Sequence, residues 1–543
     1  MTNVADLVDM TIAGRILGET ALGAIELIWP VVEFVFFIGT TIASGTAIRY
    51  SSTVGMFEGK RAARWFSNGL ILSALVGGVL ALGMLVLREW FLGFYEIGSE
   101  TLLFVRPYWN FFMLQALLSP INIYLVTLVC ADGDTRSCTV AFVSEFVVNV
   151  VSTWFLCHSY GTAGCAIGTA LGTASGIVMV LPHFFRKANS LKFVPYFSVM
   201  DSFVAFNADL PSSSAVFFTA VLYVFMNKLL VSGIGDSALV VMAVISISNN
   251  FMMFLYGVAN AAQPVVGIYY GESNYPAIRT VMRDAVKFEL GMGAVLTVLL
   301  MAFPSFPAWI LGVATPEIME LSVTAVRITA STYFLAVTGS LFITYYLFIE
   351  LPLPSIILNV LQEAVFPLVG VCAGYFLAGF VGFFVGYAFA PVLALATFFF
   401  FLYFKHRESF DPFLLPAEKP GQVTNWSFVV NDKAACSIAM EIHARLETAN
   451  APMKSVVKAD MLVEDTLMTI YDRNRGVRVV AEVTLDMRHG IRIVFRDDGV
   501  ISDNIVDDGD DWVRARSLGA VVRTMSHREN AKAIGFNRSS YTI

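Results

Sequence analysis

The chain has 543 residues, of which 57% are hydrophobic and 14% are charged, with a formal net charge of −7 at pH 7. Its mean hydropathy is +0.70, and the acidic balance argues against a nucleic-acid partner, which requires a basic surface. Thirty-six of the 77 Asp, Glu, Lys and Arg residues lie in the last 133 positions, so an apolar part of 410 residues precedes a polar tail.

The apolar part contains about a dozen runs long enough to cross a hydrocarbon core roughly 30 Å thick. Examples are the segments 70–87, 166–181 and 380–404. Runs of this length and frequency do not occur as core helices of soluble proteins. They predict a polytopic α-helical membrane domain with about 12 spans.

Basic residues cluster at 57–65, 184–192 and 278–287, and again at 405–407 just before the tail. Because cytoplasmic loops of membrane proteins are enriched in Lys and Arg, these loops and the tail are predicted to be cytoplasmic. The number of spans is then even, and we expect a multi-pass protein of the cell membrane.

Short motifs recur at a nearly constant distance along the chain. "GETAL" at 18–22 returns as "GDSAL" at 235–239, an offset of 217, and Glu145 and Glu363 differ by 218. Gly55 and Gly271 differ by 216. These offsets indicate two six-helix bundles in parallel repeat, a transporter design with the substrate site between the repeats. The predicted domains are a first bundle at 1–199, a second bundle at 200–408, a linker at 409–424 and a tail domain at 425–543.

Several stretches in register through both halves resemble the multidrug and toxin extrusion (MATE) family. They are "VDMTIAGRILGETALGA", "GMFEGKRAARW", "ADGDTRS", "MNKLLVSGIGDSAL" and "GVANAAQPVVGIYYGESNY". The resemblance covers roughly residues 4 to 405. One departure is that only thirteen residues precede Gly14, fewer than the family's first helix usually has.

Ionisable side chains at membrane depth cost roughly 2.5–3.5 kcal/mol each on insertion scales, so they are candidates for ion coupling or for binding an organic cation. Glu26 and Glu33 are seven positions apart and share a helix face, as do Glu145 and Asn149, four apart. Glu26 could instead lie in water near the outer surface. The candidates are Asp9, Glu26, Glu33, Glu145 and Asn149 in the first bundle and Asp209, Asn227, Asn260 and Glu363 in the second.

The MATE resemblance adds roles to two of these residues. Asp9, in "LVDMT", matches a first-helix aspartate that takes part in cation coupling, and Asn149 also matches a family position. The family's fifth-helix aspartate is Thr153 here. Glu145, two turns away on the same face, is the expected substitute for it.

The tail has a mixed α and β pattern. The strand-like "WSFVVN" is followed by amphipathic helices at 433–450 and 458–474, and then by a hairpin at 477–500 with its turn at His489 and Gly490. A third helix at 512–527 and a last strand at 535–543 complete the order. This order resembles the histidine-kinase-like ATPase fold in its anti-sigma-factor serine-kinase branch.

In that fold an Asp-x-Gly turn after a strand recognises adenine, and Asp497 and Gly499 fill these positions. Asp465 and Thr469 stand where the family has its Glu and its Mg²⁺-holding Asn, and the glycine-rich phosphate lid keeps only Gly519. The resemblance therefore implies ATP or ADP binding with little use of Mg²⁺, and leaves Asp465 as the one weak candidate for a catalytic base. The alternative is an inert interaction domain with an ordinary exposed turn.

These features favour a secondary-active exporter of amphipathic, cationic solutes, driven by H⁺ or Na⁺ and carrying a regulatory cytoplasmic domain. Its expected partners are a small-molecule substrate, membrane lipid and a cytosolic regulatory protein. One alternative is a flippase for a lipid-linked precursor. Another is a membrane receptor whose tail binds or modifies a cytosolic regulator.

Overall fold

The computed structural model describes residues 2–55, 59–186, 189, 191–271, 274–349, 351–405, 407, 410–415, 423–488, 490–500, 527–533 and 536–543. The chain divides into two compact units. One unit comprises residues 1–260 and 286–404, and the other comprises residues 261–285 and 405–543.

Six helices and a short 3₁₀ turn form the first bundle. Their bounds are α1 Thr2–Leu17, α2 Glu19–Gly55, α3 Gly59–Tyr95, α4 Ser99–Ala131, α5 Thr135–Tyr160, α6 Thr162–Val180 and the 3₁₀ turn Leu181–Phe185. The turn between α1 and α2 is a single glycine, Gly18, with a φ of 90°. Glycine adopts this left-handed conformation without the steric penalty that a Cβ atom imposes, so the chain can reverse there in one residue.

The second bundle has more breaks within its helices. Its elements are α7 Val199–Ile234, α8 Ser237–Asn250, α9 Met253–Gly271, α10 Tyr275–Ala302, α11 Phe306–Ile310, α12 Pro316–Ala330, α13 Tyr333–Phe348, α14 Pro352–Val360, a π-helical turn Leu361–Val365 and α15 Phe366–Lys405. Helix α15 turns back on itself at Ala378 and Gly379, whose backbone angles are not helical. As a result, Gly370 lies against Gly386.

Among the described residues, nine helices are long and apolar enough to cross a membrane, or up to ten if the bent pair α12 and α13 counts as one span. One of the nine, 352–405, contains the reversal at Gly379, so it supplies two antiparallel segments. Helix α1 has 16 residues and is therefore about 24 Å long, short of a hydrocarbon core of about 30 Å. The apolar helices of a polytopic membrane protein are thus present.

The internal repeat is visible in the backbone. Helices α2 and α8 begin 218 positions apart, α3 and α10 begin 216 apart, and α5 and α14 begin 217 apart. Gly161, before α6, has φ 59° and ψ −139°, and Gly379, 218 positions later, has φ 57° and ψ −135°. The two halves therefore use corresponding helix starts and the same turn conformation.

The described part of the tail consists of two helices and a five-stranded sheet. The elements are β1 Val423–Val429, α16 Asp432–Thr448, α17 Met453–Arg473, β2 Val480–Asp486, β3 Arg492–Asp497, β4 His527–Ala533 and β5 Phe536–Thr542. The sheet order is β1-β2-β3-β5-β4, with every neighbouring pair antiparallel.

The predicted hairpin corresponds to β2 and β3. Its turn residue His489 lies outside the described residues, as do Gly519 and the predicted third helix up to residue 526. Strand β4, "HRENAKA", was not predicted from the sequence, because it has no alternation of apolar and polar residues. Its pairing with β5, not its own composition, makes it a strand.

Helices α16 and α17 cover one face of the sheet. Ile442 and Leu467 on the helices pack in one hydrophobic cluster with Ala481, Val483 and Leu485, the alternate residues of β2. Because successive side chains of a strand point to opposite faces, the residues between them point away from the helices. The sheet therefore has a buried inner face and a polar outer face.

Candidate functional sites

Asp9, on α1, lies at a polar site inside the first bundle. Its Oδ2 accepts hydrogen bonds from Nδ2 of Asn149 at 2.9 Å and from Oγ1 of Thr169 at 3.2 Å. Oγ1 of Thr153 donates to Oδ1 of Asn149 at 3.1 Å. The predicted pair Asp9 and Asn149 is thus brought together by α1 and α5, and α6 adds Thr169, which no sequence pattern marked. The site combines one carboxylate with neutral hydrogen-bond donors.

Glu145 is held at a different place on α5. Its Oε2 accepts a hydrogen bond from Nδ2 of Asn122, on α4, at 3.0 Å. The sequence placed Glu145 as a substitute for the aspartate that is Thr153 here. The structure instead pairs Glu145 with Asn122, so the two positions serve different contacts of the same helix.

Glu26, on α2, is fully buried where α2 meets α8. Its Oε1 accepts a hydrogen bond from Oγ of Ser246 at 2.7 Å, and its Oε2 has no hydrogen-bond partner among the described residues. The alternative that Glu26 lies in water near the outer surface is therefore wrong. Glu33, seven positions along α2, is half-buried and lies within hydrogen-bonding reach of Trp29. Glu26 is thus a carboxyl group at a contact between the two repeats.

The second bundle contains a cavity of about 260 Å³. It is lined by Tyr223, Asn249, Tyr256, Tyr333, Glu363 and Tyr387 among others. Nδ2 of Asn249 donates to the hydroxyl of Tyr387 at 3.0 Å, and the hydroxyl of Tyr333 donates to Oδ1 of Asn249 at 2.8 Å. The cavity therefore combines aromatic faces with a fixed network of polar groups.

Glu363 enters this cavity from the π-helical turn between α14 and α15. Single π turns within α-helices occur frequently at functional sites. Oε1 of Glu363 accepts a hydrogen bond from Nε2 of Gln362 at 3.0 Å, and the same Nε2 lies 3.2 Å from Oγ of Ser340. The predicted candidate Glu363 is thus the carboxylate of the cavity.

A chain of polar side chains links the cavity to Glu26. Ser246, which donates to Glu26, also lies within hydrogen-bonding reach of Tyr223 in the cavity wall. Tyr223 in turn lies within reach of Tyr387, which bonds Asn249. This chain runs from a carboxyl group on α2 of the first bundle into the second bundle.

Three further predicted residues of the second bundle are Asp209, Asn227 and Asn260. Asp209 and Asn227 are both buried on α7, and neither side-chain atom of Asn227 has a hydrogen-bond partner in the described part of the chain. The side chain of Asn260 lies outside the described residues. The structure brings none of these three into the cavity lining that it describes.

Glu289, on α10, is a buried carboxyl that the sequence did not single out. It is fully buried, and neither of its oxygens has a hydrogen-bond partner among the described residues. It lies within electrostatic range of Tyr256, which lines the cavity. In the sequence Glu289 stands two positions after the basic segment 278–287, so its place inside a long helix was not apparent.

A buried histidine joins the α4–α5 turn to the end of α6. Nε2 of His183 lies 2.9 Å from Oδ2 of Asp132, and its Nδ1 lies 3.0 Å from Oδ2 of Asp134. Arg186 also pairs with Asp134. Hydrogen bonds from Ser137, followed by those from His183 and Arg186, hold the pKa of the Asp134 carboxyl well below its usual range. The cluster therefore ties the α4–α5 turn to the 3₁₀ turn that follows α6.

In the tail, Asp497 ends β3 with its side chain buried. Its Oδ1 lies 3.3 Å from Nη2 of Arg473 and accepts a hydrogen bond from the backbone N–H of Gly499 at 3.1 Å. A Cβ on Gly499 would lie 2.5 Å from Nδ2 of Asn474, so glycine allows the turn to pack on the end of α17. The predicted Asp-x-Gly turn is therefore closed against Arg473 and Asn474.

The other predicted nucleotide residues lie on α17. Oγ1 of Thr469 donates to the backbone carbonyl of Asp465 at 2.7 Å, and Thr469 is buried. A hydroxyl engaged in this way within its own helix is a poor Mg²⁺ ligand. Gly519 lies outside the described residues.

A family model described as MatE matches residues 1–155 and 211–371 of the chain. A search of curated proteins found no significant match.

Solved structures show the same fold. An inward-facing multidrug resistance MATE family transporter of the MOP superfamily superposes with a TM-score of 0.68 at 19% identity, over 74% of this chain and 93% of that one. An outward-facing one gives 0.59 at 19% identity, over 74% and 91%. A MOP superfamily transporter from Pyrococcus furiosus Vc1 (DSM3638) gives 0.60 at 19% identity, with the same coverage. Because the MatE model covers more than half of the chain, with matches in both bundles, the chain belongs to the MatE family of membrane transporters.

Proposed function

We propose that this transporter exports amphipathic organic cations in exchange for protons, with the second-bundle cavity as the substrate site. The observation that carries the proposal is the composition of the cavity, in which Glu363 shares the lining with four tyrosine rings. A carboxylate supplies the counter-charge that a cation needs away from water, and aromatic faces attract a cation within about 6 Å. An anionic substrate would meet repulsion from Glu363.

The size of the cavity limits the substrate that fits it in this conformation. Ligand pockets usually enclose about 300–1,000 Å³, and this cavity has about 260 Å³. A compact cation with one or two rings fits this space, whereas a larger one requires the cavity to open. We therefore expect small monovalent aromatic cations to be the best substrates.

The proton is proposed as the coupling ion because of the donors around Asp9. A hard cation such as Na⁺ takes a shell of oxygen ligands. Here an amide N–H of Asn149 and a hydroxyl of Thr169 already donate to Oδ2 of Asp9, and the position at which a second carboxylate was expected holds Thr153. A proton needs only one acceptor oxygen.

Glu26 is proposed as the second proton carrier. Through Ser246 and Tyr223 it is connected to the cavity that holds Glu363. Proton uptake at Glu26 and cation release at Glu363 would then be coupled through these neighbouring polar side chains.

The test is uptake of a fluorescent aromatic cation into proteoliposomes under separately imposed gradients. A pH gradient should drive transport, and a Na⁺ gradient at equal pH on both sides should not. Transport driven by Na⁺ alone would reverse the choice of ion. Transport that needs ATP but no gradient would overturn secondary-active export altogether.

An apolar cleft favours a lipid flippase as the second candidate function. It has a volume of about 430 Å³ and is lined by Pro30 and Phe34 of α2, Leu87 of α3, Trp109 of α4 and Phe217 of α7. Such a cleft suits an acyl or polyprenyl chain. Movement of a labelled lipid-linked pyrophosphate between leaflets, with no transport of cations, would favour this function.

We further propose that the tail is a cytoplasmic regulatory domain and that Asp497 contacts the adenine of a bound nucleotide. The position of Asp497 at the end of β3 and the hydrogen bond that its Oδ1 accepts from the N–H of Gly499 support this. Because Thr469 bonds within its own helix, binding should depend little on Mg²⁺. Titration of ATP and ADP into the full chain, with and without Mg²⁺, tests it. If neither nucleotide binds at millimolar concentration, the tail is an interaction module only.

A further inference from the structure

The outer face of the tail sheet is covered although neither described helix of the tail, α16 or α17, packs on it. Glu482 and Thr484 alternate with the core residues of β2 and therefore point to this face. Thr484 is nevertheless only 5% exposed. A polar residue at this position of an uncovered sheet would be solvated, so another part of the same compact unit must cover it.

That part is the turn between α9 and α10. Nδ2 of Asn274 donates to Oδ1 of Asn425 at 3.0 Å, and Nδ2 of Asn425 donates back to Oδ1 of Asn274 at 2.7 Å. Asn274 also lies 3.3 Å from Oγ1 of Thr484 and is 1% exposed. This reciprocal amide pair uses donors and acceptors on both sides, so it selects for an amide at each position.

Tyr269, near the end of α9, forms a second part of the contact. Its hydroxyl donates to Oε2 of Glu482 at 2.8 Å, and the guanidinium of Arg496 lies 4.3 Å from the centre of its ring. Arg496 also pairs with Glu482 at 3.1 Å on the sheet itself. The carboxylate and the guanidinium thus form a binding site for one tyrosine side chain.

Two further contacts lie at the start of α10. The guanidinium of Arg488 lies 5.5 Å from the ring of Tyr275, at the start of α10. Arg279, one turn further along α10, pairs with Asp411 of the linker at 2.9 Å. Polar contacts therefore extend from the last turn of α9 to the second turn of α10.

We propose that the outer face of the sheet is a binding surface for the α9–α10 turn of the same chain, and that this contact restrains the turn. The surface offers one amide, one carboxylate with its arginine, and a hydroxyl. The partner it fits is a turn with a matching amide and a tyrosine. The interaction is polar and reversible, because each hydrogen bond contributes only about 0.5–1.5 kcal/mol net.

The consequence for transport rests on the proposed function. Helix α9 carries Tyr256 of the cavity as well as Tyr269, and α10 carries Glu289 as well as Arg279. A restraint on the turn therefore acts on α9, which reaches the second-bundle cavity through Tyr256, and on α10, whose Glu289 lies within electrostatic range of Tyr256. Since alternating access moves the helices around such a site, a held turn slows the cycle.

The docking itself is tested by retention, which does not depend on any transport activity. A specific protease site is inserted in the full chain between Leu415 and Val423, the protein is cleaved in its membranes, and the tail fragment is followed through washing. The wild-type tail should stay with the membranes. A tail that washes off at the first step overturns the docking.

A double-mutant cycle then identifies the contact. Asn274→Ala and Asn425→Ala should each speed the release of the cleaved tail about tenfold, and the double variant should release it hardly faster than either single one. Ser427→Ala, two residues from Asn425 on the same face of β1 but exposed, is the matched control and should leave release unchanged. If the effects of the two substitutions on the release rate are additive in free energy, Asn274 and Asn425 do not contact each other.

Transport by the same uncleaved variants tests the restraint. Asn274→Ala and Asn425→Ala should both raise export several-fold, whereas Ser427→Ala should not. If the tail is retained as expected and export is unchanged or lower, the contact is an anchor and the restraint is refuted. If neither the wild type nor any variant transports a cation, the proposed function is refuted, whereas the docking shown by retention of the tail is unaffected.

Discussion

Nη2 of Arg473 lies 3.3 Å from Oδ1 of Asp497, with the two side chains only 8% and 1% exposed. Nε and Nη1 of Arg473 have no hydrogen-bond partner among the described residues. The ion pair therefore joins the end of α17 to the end of β3.

This pair makes Asp497 a structural residue as well as a nucleotide candidate. Asp497→Ala leaves a buried guanidinium without its counter-charge, so it should destabilise the tail by about 3–5 kcal/mol. Asp498→Ala loses only the hydrogen bond from the N–H of Val480 and should cost about 1 kcal/mol. Denaturant unfolding of the full chain, followed by the susceptibility of the tail to proteolysis, measures both.

A compensating variant separates the charge effect from loss of fold. Arg473→Met with Asp497→Leu removes both charges and should recover most of the stability. Equal destabilisation by Asp497→Ala and Asp498→Ala would contradict a special role for the ion pair. Nucleotide affinity is to be compared only between variants whose tails remain folded.

Asp9→Asn tests the proton site of the first bundle. The amide is neutral and close in shape, so the protein should insert and fold normally. It carries no exchangeable acidic proton, and export driven by a pH gradient should fall to the level of empty vesicles. Transport by Asp9→Asn at the wild-type rate would show that the cluster with Asn149 is structural only.

Glu363→Gln tests the substrate cavity. Removing the carboxylate leaves the tyrosine rings and the hydrogen bond network of Asn249 in place. Binding of an aromatic cation should weaken by about 10- to 100-fold, which corresponds to roughly 1.4–2.8 kcal/mol. Glu320→Gln, on the exposed start of α12, is the matched control and should bind as the wild type does. Equal affinities of Glu363→Gln and the control would move the substrate site elsewhere.

Replacing Glu289 should increase the stability of the protein and decrease its transport rate. A buried carboxyl without hydrogen bonds is costly, so Glu289→Leu should raise the midpoint of thermal unfolding by several degrees. Because Glu289 lies within electrostatic range of Tyr256 in the cavity wall, the same variant should export more slowly. A more stable protein with unchanged export would assign Glu289 no part in transport.

The Asp134 cluster predicts a dependence of stability on acid. Because the folded pKa of Asp134 lies well below the ordinary value of 3.8, its contribution is fully present above that value and is lost as the pH falls through the folded pKa. Asp134→Asn should therefore unfold at a lower temperature than the wild type at pH 7. The difference should shrink steadily below about pH 4. A difference that stays constant down to pH 2 would contradict the linkage.

Local pattern was enough for much of the architecture. Apolar run length predicted the membrane helices, and the 217-residue offset of "GETAL" and "GDSAL" predicted the repeat that the turn glycines Gly161 and Gly379 display. Alternation predicted β2 and β3. These features follow from residues close in sequence, because helix and strand periodicities are local properties of the chain.

The partners of the candidate residues were decided only by tertiary structure. Glu26 meets Ser246, 220 positions away, and Asp9 meets Thr169, 160 positions away. In the sequence Glu289 follows the basic segment 278–287, which was predicted to be a loop. Helix α10 begins at Tyr275, however, so Glu289 lies about 21 Å along that helix. Such pairings depend on how helices from distant parts of the chain pack together. A sequence shows which groups are costly to bury, whereas the fold alone determines what each one faces.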